Sequence, residues 1–331
     1  MMNLPEILVS GNIPVSVLDM LRQKCRVTWH DIDRPMPRSE FLKQAAGKDG
    51  ILSMITDRID EDVFQTAPQL RIVANMGVGY NNIDVAQATS HSVLVTNTPG
   101  VLTDATADLA FALILAVSRR IVEGDRMVRE GRFQFWAPFL FLGSDLSSKT
   151  IGIIGMGRIG RAVAKRALGF NMRILYHNRE RLSLDEEASL KAQSTDMNTL
   201  LETSDFVSLH VPLTEKTKHL IGAEAFRTMK PTAYLINTAR GAVVDEKALL
   251  EALTEKRIAG AGLDVYEQEP ALTPGLTDLD QVVLLPHVGS ATLETRTKMA
   301  TMAAENLLAG LHGEKPPNLV NPEVFQRRSS S

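Results

Sequence analysis

The sequence predicts an α/β fold of two doubly wound parallel-sheet domains, and three observations predict it. Short β-rich runs alternate with helical patterns along the chain, the alternation restarts after a glycine-rich turn near Gly155, and 331 residues exceed the length at which one core usually stops growing. With 44% apolar and 23% charged residues and no low-complexity tract, the composition is that of a globular protein. Acidic residues outnumber basic ones 39 to 36 without any block of like charge. That balance points away from nucleic acid and membrane surfaces and towards a small-molecule partner.

The first half reads as strands at EILVS, RVTWH, GILSM, LRIVANM and VLVTN, with helical SEFLKQAAG and DVAQATSHS between them. After the turn Thr98-Pro99-Gly100 comes a long apolar segment, Asp104 to Ile121, read as one helix with Thr103 or Asp104 as its N-cap. Its length suits a membrane span, but Asp108 and the Arg119-Arg120 end favour a buried helix between domains. The second series is TIGIIG, NMRILYH, DFVSLHV, TAYLINT, IAGAGLDV and QVVLLPH, with helical patterns such as DEKALLEALTEK in the gaps. Ala291 to His312 reads as a final helix, ended by Gly313 ahead of Pro316-Pro317.

Cys25 is the only cysteine, which excludes an intramolecular disulfide and any cysteine-based metal site, and it reads as a small buried hydrophobe. The seven histidines show no ligand-type spacing, so no metal is expected. The start MMNLPEILVSG has no basic region followed by an apolar run, and the final RRSSS matches no retention or peroxisomal signal. The expected location is the cytoplasm.

In IGIIGMGRIG, Gly155 permits a tight turn, Gly157 lets backbone approach a pyrophosphate, and Gly160 lets the following helix pack on the strand. The helix N-terminus adds about half a positive charge and free N–H groups. An NAD site normally has a carboxylate at the end of the next strand, where it binds the ribose hydroxyls. Asn178 and Arg179 stand there instead, with Arg181 close behind. A 2′-phosphate would be repelled by a carboxylate and held by a guanidinium, so NADP(H) is expected in preference to NAD(H). The bland alternative, a loop arginine in solvent, stays open for Arg179.

Arg240, Glu269 and His287 lie at or just beyond apparent strand ends, where open α/β sheets bind ligands. Singly, each has a bland reading: a strand-end cap, a solvated acid beside Glu267, a satisfied turn histidine. Together they are what hydride transfer to a carbonyl needs. A guanidinium stabilises charge growing on the oxygen, a histidine delivers the proton, and a carboxylate orients the imidazole and favours its charged form.

GMGRIG, LHVPLT (209–214), LINTARG (235–241), AGLDVYEQEP (261–270) and LLPHVGSAT (284–292) follow the order and spacing of the D-isomer-specific 2-hydroxyacid dehydrogenases, and GVGYNNID (77–84) resembles their substrate loop. Within that family the chain is most similar to glyoxylate/hydroxypyruvate reductases, through FWAPFLFLGSDLSSKT and NMRILYHNRERL. The resemblance implies a Rossmann dinucleotide domain, 101–286, inserted into a flavodoxin-like substrate domain, 1–100 and 287–331. It implies Arg240, Glu269 and His287 as catalytic residues, and Val78 and Gly79 as the loop whose amides take the substrate carboxylate. Arg158 and Ile159 match pyrophosphate-binding positions, and Thr106 and Asp264 match nicotinamide contacts. The resemblance implies that Val211, Pro212, Thr217, Thr238, Ala239 and Gly289 line the cofactor cleft with His287. It further implies a homodimer, with 104–121 near hinge and dimer interface and Trp136 at a position that can reach a neighbouring subunit's site.

Two positions depart from the family: Asn81 replaces a frequent loop aspartate, and Asn178 the usual strand-end acid. The first leaves loop electrostatics open, and the second favours the phosphate reading. The expected activity is NADPH-dependent reduction of glyoxylate or hydroxypyruvate to the D-2-hydroxy acid, with 2-ketogluconate or another keto acid as alternative substrates. A dinucleotide-sensing corepressor is a rival of another class, and only the short NPEVFQRRSSS is present where it would carry an interaction tail. Formate dehydrogenase differs in the partner of its histidine, and phosphoglycerate dehydrogenases often bear a further domain for which no room follows His312.

Overall fold

Every strand pairing within the two sheets is parallel, as expected of short apolar runs buried on both faces. The computed structural model describes residues 4–329. Residues 1–3 and 330–331, on which part of the targeting expectation rests, lie outside the described residues.

The first sheet comprises β1 (Glu6–Val9), β2 (Arg26–Trp29), β3 (Gly50–Ser53), β4 (Ile72–Asn75) and β5 (Leu94–Thr96), in the order β2-β1-β3-β4-β5. This is the flavodoxin-like doubly wound order. The second sheet comprises β6 (Thr150–Ile154), β7 (Arg173–His177), β8 (Ala192–Ser194), β9 (Phe206–Leu209), β10 (Tyr234–Asn237), β11 (Gly260–Leu263) and β12 (Val282–Leu284), in the order β12-β11-β10-β9-β6-β7-β8. The order reverses between β6 and β9, which makes the carboxyl end of β6 the switch point where such sheets bind ligands. The edge strand β8 is absent from the sequence reading, because its three residues AQS include only one apolar side chain.

One compact unit takes the chain up to Leu102 and resumes at Thr292; the other is Thr103–Ala291. The return crossing therefore falls after Ala291, later than the boundary at His287 read from sequence. The reason is local: the Asp264 carboxylate accepts the N–H groups of Val288 and Gly289, both at 2.7 Å, and Thr106 Oγ1 donates to the Gly289 carbonyl at 3.1 Å. These bonds keep residues 287–291 with the second sheet.

The segment 104–121 is not one helix. A helix spans Thr103–Ser118, Arg120 takes a left-handed backbone (φ 54°), and a second helix spans Ile121–Arg129. Arg120 Nε is held by Glu123 at 2.8 Å, and Thr103 and Asp104 stand in the first turn rather than before it. Ala107, Ala110, Phe111, Leu113, Ile114 and Val117 of the first helix are buried among Ile151, Ile153, Phe206 and Ile236 of the second sheet, which accounts for its apolar character. Among the described residues no helix is long and apolar enough to cross a membrane.

The last long helix spans Leu293–Leu311, and Thr292 Oγ1 caps it by accepting the Thr295 N–H at 3.1 Å. Its Met299, Ala303, Leu307 and Leu311 are buried with Ile7, Leu52, Ile72 and Leu94, closing the core of the first unit. Cys25 is buried in that core, and burial, with the charge of Asp49, pushes its thiol up to about 11. Such a thiol stays protonated and unreactive.

Candidate active site

At the switch point the chain turns from β6 into the helix Arg158–Gly169, with Gly157 as its N-cap. The three glycines differ in what they permit. Gly155 has φ 96°, and a Cβ there would lie 2.7 Å from the His210 carbonyl carbon; a Cβ on Gly160 would lie 2.2 Å from the Gly155 oxygen. Those two allow the turn and the close crossing. A Cβ on Gly157 would meet nothing within 4 Å. That open space lies at the helix N-terminus, beside the exposed Arg158 and the half-buried Ile159, and it fits a pyrophosphate on the first N–H groups.

Beyond β7, Asn178 Oδ1 accepts the Met156 N–H of the glycine turn at 3.3 Å, and its Nδ2 donates to the Glu180 carbonyl at 2.8 Å. Arg179 is exposed, and no ion pair holds its guanidinium among the described residues. Arg181, close behind, has a partner in the fold. Its Nε and Nη2 donate to the two oxygens of Glu187 at 2.9 and 2.8 Å, and Tyr176 Oη donates to the same carboxylate at 2.6 Å. The Arg181 bond first, then that from Tyr176, brings the Glu187 carboxyl down to about 2. Arg181 is thus tied into the fold, whereas Arg179 has no ion pair among the described residues.

Val211 and Pro212 follow β9, and Thr238 and Ala239 follow β10, on the same edge as the glycine turn. Thr217 Oγ1 donates to the Pro212 carbonyl at 2.6 Å and accepts the Thr214 N–H at 2.8 Å, closing that loop on itself. The Thr238 hydroxyl is buried with no hydrogen-bond partner among the described residues.

Arg240 is set by its backbone. Asn237 Nδ2 donates to the Arg240 carbonyl at 3.0 Å, and Asn237 Oδ1 accepts the Ala239 N–H at 3.0 Å. A Cβ on Gly241 would lie 1.8 Å from the Tyr266 carbonyl carbon, so only glycine lets the strand β10 exit lie against the Tyr266-Glu267 backbone. That contact brings Arg240 beside the Glu269 loop. Burial lowers the Arg240 pKa against the opposing charge of Glu269, yet a guanidinium keeps its charge at neutral pH.

His287 Nδ1 lies 2.7 Å from Glu269 Oε2, and Glu269 Oε1 accepts the Tyr266 N–H at 3.0 Å. Burial pushes the Glu269 carboxyl up, but the bonds from His287 and Tyr266 and the charges of His287 and Arg240 outweigh it and hold the carboxyl below its ordinary range. His287 has a left-handed backbone (φ 56°), fixed from the next residues by Asp264. Both Asp264 oxygens are engaged by those amides, and burial raises its carboxyl despite them. Asp264 and Thr106, expected beside a nicotinamide, therefore also anchor the His287 loop.

Sequence reasoning missed Glu246. This buried first residue of the helix Glu246–Thr254 accepts the Glu267 N–H on Oε1 and, on Oε2, the Thr273 N–H at 3.3 Å and hydroxyl at 2.8 Å. It brackets the loop carrying Glu269. An acid in a helix's first turn is ordinary, so nothing in the sequence singles it out.

In the first unit, Val78 and Gly79 lie in the loop after β4. Trp136, 78% exposed, follows the helix Ile121–Arg129 together with exposed Phe133, Phe135 and Phe139. Among the described residues no group of three or more His, Cys, Asp or Glu is placed to hold a metal.

A doubly wound parallel sheet with a glycine turn at its switch point, and an arginine, a glutamate and a histidine gathered at its strand ends, defines a dinucleotide-dependent oxidoreductase. The model of the D-isomer specific 2-hydroxyacid dehydrogenase NAD-binding domain matches residues 111–289. The glyoxylate reductase of Thermococcus litoralis is 50% identical over 326 residues, 97% of this chain and 98% of the relative, and that of Korarchaeum cryptofilum is 52% identical over 328 residues, 98% of each. A crystal structure of the NADPH-dependent glyoxylate/hydroxypyruvate reductase of Sinorhizobium meliloti, in complex with NADP and malonate, is similar with a TM-score of 0.84 at 33% identity, each chain covered to 96%. The chain belongs to the D-isomer specific 2-hydroxyacid dehydrogenase family. It is an NAD(P)-dependent dehydrogenase of 2-oxo acid reduction.

Proposed function

We propose that this protein is an NADPH-dependent reductase of glyoxylate and hydroxypyruvate that forms the D-2-hydroxy acid, with His287 as proton donor. The observation that carries the reading is the 2.7 Å contact of His287 Nδ1 with Glu269 Oε2, beside the half-buried Arg240. The bond leaves His287 Nε2 uncommitted among the described residues, so that nitrogen is the one able to hand a proton to a carbonyl oxygen. Glu269, ionised through the neutral range, holds the imidazole in that orientation. Arg240 supplies a fixed positive charge for the oxygen as it becomes anionic. The amides of Val78 and Gly79 take the substrate carboxylate.

Bound reduced nicotinamide dinucleotide supplies the hydride. Gly155, Gly157, Arg158, Ile159 and Gly160 hold its pyrophosphate, and Val211, Pro212, Thr217, Thr238, Ala239 and Gly289 line its cleft. Thr106 and Asp264 stand at the nicotinamide end. The absence of a strand-end acid supports NADP(H): Asn178 carries no charge to repel a 2′-phosphate, and Arg179 beside it is a cation with no ion pair among the described residues. In this reading Thr103–Ala291 is the dinucleotide domain and the other unit the substrate domain. The exposed Phe133, Phe135, Trp136 and Phe139 support a homodimer, since apolar side chains of this size in one segment mark protein contacts.

Initial rates with glyoxylate, hydroxypyruvate and 2-ketogluconate, each with NADPH and NADH, test the proposal. The expected result is the highest kcat/KM for the two small acids with NADPH. Preference for 2-ketogluconate, or for NADH, overturns the corresponding part. Tight NADPH binding without turnover of any acid favours the sensor instead.

A further inference from the structure

Three successive carbonyl oxygens of the loop after β4 are each held by a donor. The Gly77 oxygen accepts the Thr98 N–H at 2.9 Å, the Val78 oxygen accepts Asn97 Nδ2 at 2.8 Å, and the Gly79 oxygen accepts Asn75 Nδ2 at 2.9 Å. A trans peptide is planar, with its C=O and the following N–H pointing in opposite directions. Holding these three oxygens therefore turns the N–H groups of Val78, Gly79 and Tyr80 away from Thr98, Asn97 and Asn75. Among the described residues none of the three N–H groups has a hydrogen-bond partner.

The two side-chain amides are themselves oriented. Asn75 is fully buried, and its Oδ1 accepts Asn82 Nδ2 at 3.2 Å and Ser53 Oγ at 3.3 Å, which leaves Nδ2 to face Gly79. A flipped amide would set its NH2 against the Asn82 NH2. Asn97 is fixed through its backbone: its carbonyl accepts Nδ2 of the buried Asn306 at 3.2 Å, and its N–H donates to the Asn318 carbonyl at 3.3 Å. Asn306 Oδ1 in turn accepts the Asn318 N–H at 3.1 Å.

We propose that Asn75 and Asn97 are positioning residues for the carboxylate of the substrate, and that Tyr80 N–H is a third donor beside those of Val78 and Gly79. Asn97 sets the peptide that presents the Gly79 N–H, and Asn75 the peptide that presents the Tyr80 N–H. The inference rests on the reading of this loop as the carboxylate site. It extends that site to two side chains that need not touch the substrate.

The experiment compares wild type with Asn97→Ala and Asn75→Ala, using glyoxylate and its uncharged amide, glyoxylamide, with NADPH. Both variants are expected to raise KM for glyoxylate about tenfold or more, the size of one weakened charge-assisted hydrogen bond, with kcat and NADPH affinity little changed. Wild type is expected to use glyoxylamide poorly, and the variants no worse than wild type. Equal losses on both substrates show a general structural role and overturn the proposal, as does an unchanged KM for glyoxylate. Thermal unfolding confirms folding, and if the buried Asn75→Ala fails to fold, the half-buried Asn97→Ala decides the matter. Wild type that reduces glyoxylate while the variants match it defeats only the positioning role. Wild type that reduces no 2-oxo acid defeats the functional reading and this inference with it.

Discussion

Glu269 and His287 are joined by a 2.7 Å hydrogen bond, and the second Glu269 oxygen is occupied by the Tyr266 N–H at 3.0 Å. The carboxylate thus cannot turn away from the imidazole without breaking a second bond. Its depressed pKa has a definite pH consequence. A carboxyl whose folded pKa lies below its ordinary value contributes its charge above that ordinary value and loses it only as pH falls through the depressed one. The Glu269 limb of kcat/KM for reduction is therefore expected on the acid side of the usual carboxylate range. Glu269→Gln should lower kcat by about 10- to 1,000-fold and erase that limb, read from rate profiles against pH. An unaltered acid limb in the variant counts against the pairing.

His287→Ala should depress kcat by about 100-fold or more, the usual contribution of a positioned acid, with NADPH affinity little changed. Steady-state rates with a fluorescence titration of NADPH separate the two. Normal turnover would require another proton donor.

Glu246 acts on the pair through the loop that carries Glu269. Its two oxygens hold the loop at Glu267 and at Thr273, on either side of Glu269. Glu246→Gln puts an NH2 where backbone and hydroxyl donors converge, leaving a buried donor unpaired at a cost of about 1–3 kcal/mol. Lower kcat and a lower unfolding midpoint are expected together, with NADPH affinity retained. Retention of both wild-type values would show that the loop holds itself.

Two glycines of the second unit make a contrast that stability and binding measurements can resolve. Gly241→Ala places a Cβ 1.8 Å from the Tyr266 carbonyl carbon, so the backbone that joins Arg240 to the Glu269 loop must move apart. We expect a destabilisation of about 3 kcal/mol or more and nearly complete loss of activity. Gly157→Ala meets nothing within 4 Å, so the fold should tolerate it. The added methyl stands where the pyrophosphate would lie, and NADPH affinity should fall while the unfolding midpoint stays. Unimpaired NADPH binding by Gly157→Ala would move the phosphate site elsewhere.

Much of this was legible in the sequence because it depended on local pattern. Strands such as Ile72–Asn75 and Phe206–Leu209 are buried along their length and read as β-rich runs with three apolar residues of four, and the glycine turn announces itself by spacing. Arg240, Glu269 and His287 were legible as residue types at strand ends. What escaped depended on where separate segments meet. Glu246 matters because the 266–273 loop lies on it, and Asp264, named from sequence only as a nicotinamide contact, also anchors the 287–291 segment, which folds onto its carboxylate. The break at Arg120 escaped because an arginine gives no signal of the left-handed backbone it adopts there.

Arg179 and Arg181 stand two positions apart and are expected to behave differently. Arg179 has no ion pair among the described residues, whereas Arg181 grips Glu187 through two nitrogens. If Arg179 alone meets a 2′-phosphate, Arg179→Ala should weaken NADPH by about 10- to 100-fold, one charge-assisted hydrogen bond, and spare NADH. Arg181→Ala should leave the NADPH to NADH ratio unchanged and lower stability instead. That loss has a pH signature: the Glu187 carboxyl, held at about 2, contributes above its ordinary range and loses its contribution as pH falls towards that value. The stability gap between wild type and Arg181→Ala should accordingly be open at neutral pH and narrow on acidification. Kd values for both dinucleotides, with unfolding midpoints at two pH values, test the pair together. An equal loss of both dinucleotides in Arg179→Ala, or a shifted ratio in Arg181→Ala, would reassign the phosphate-binding cation.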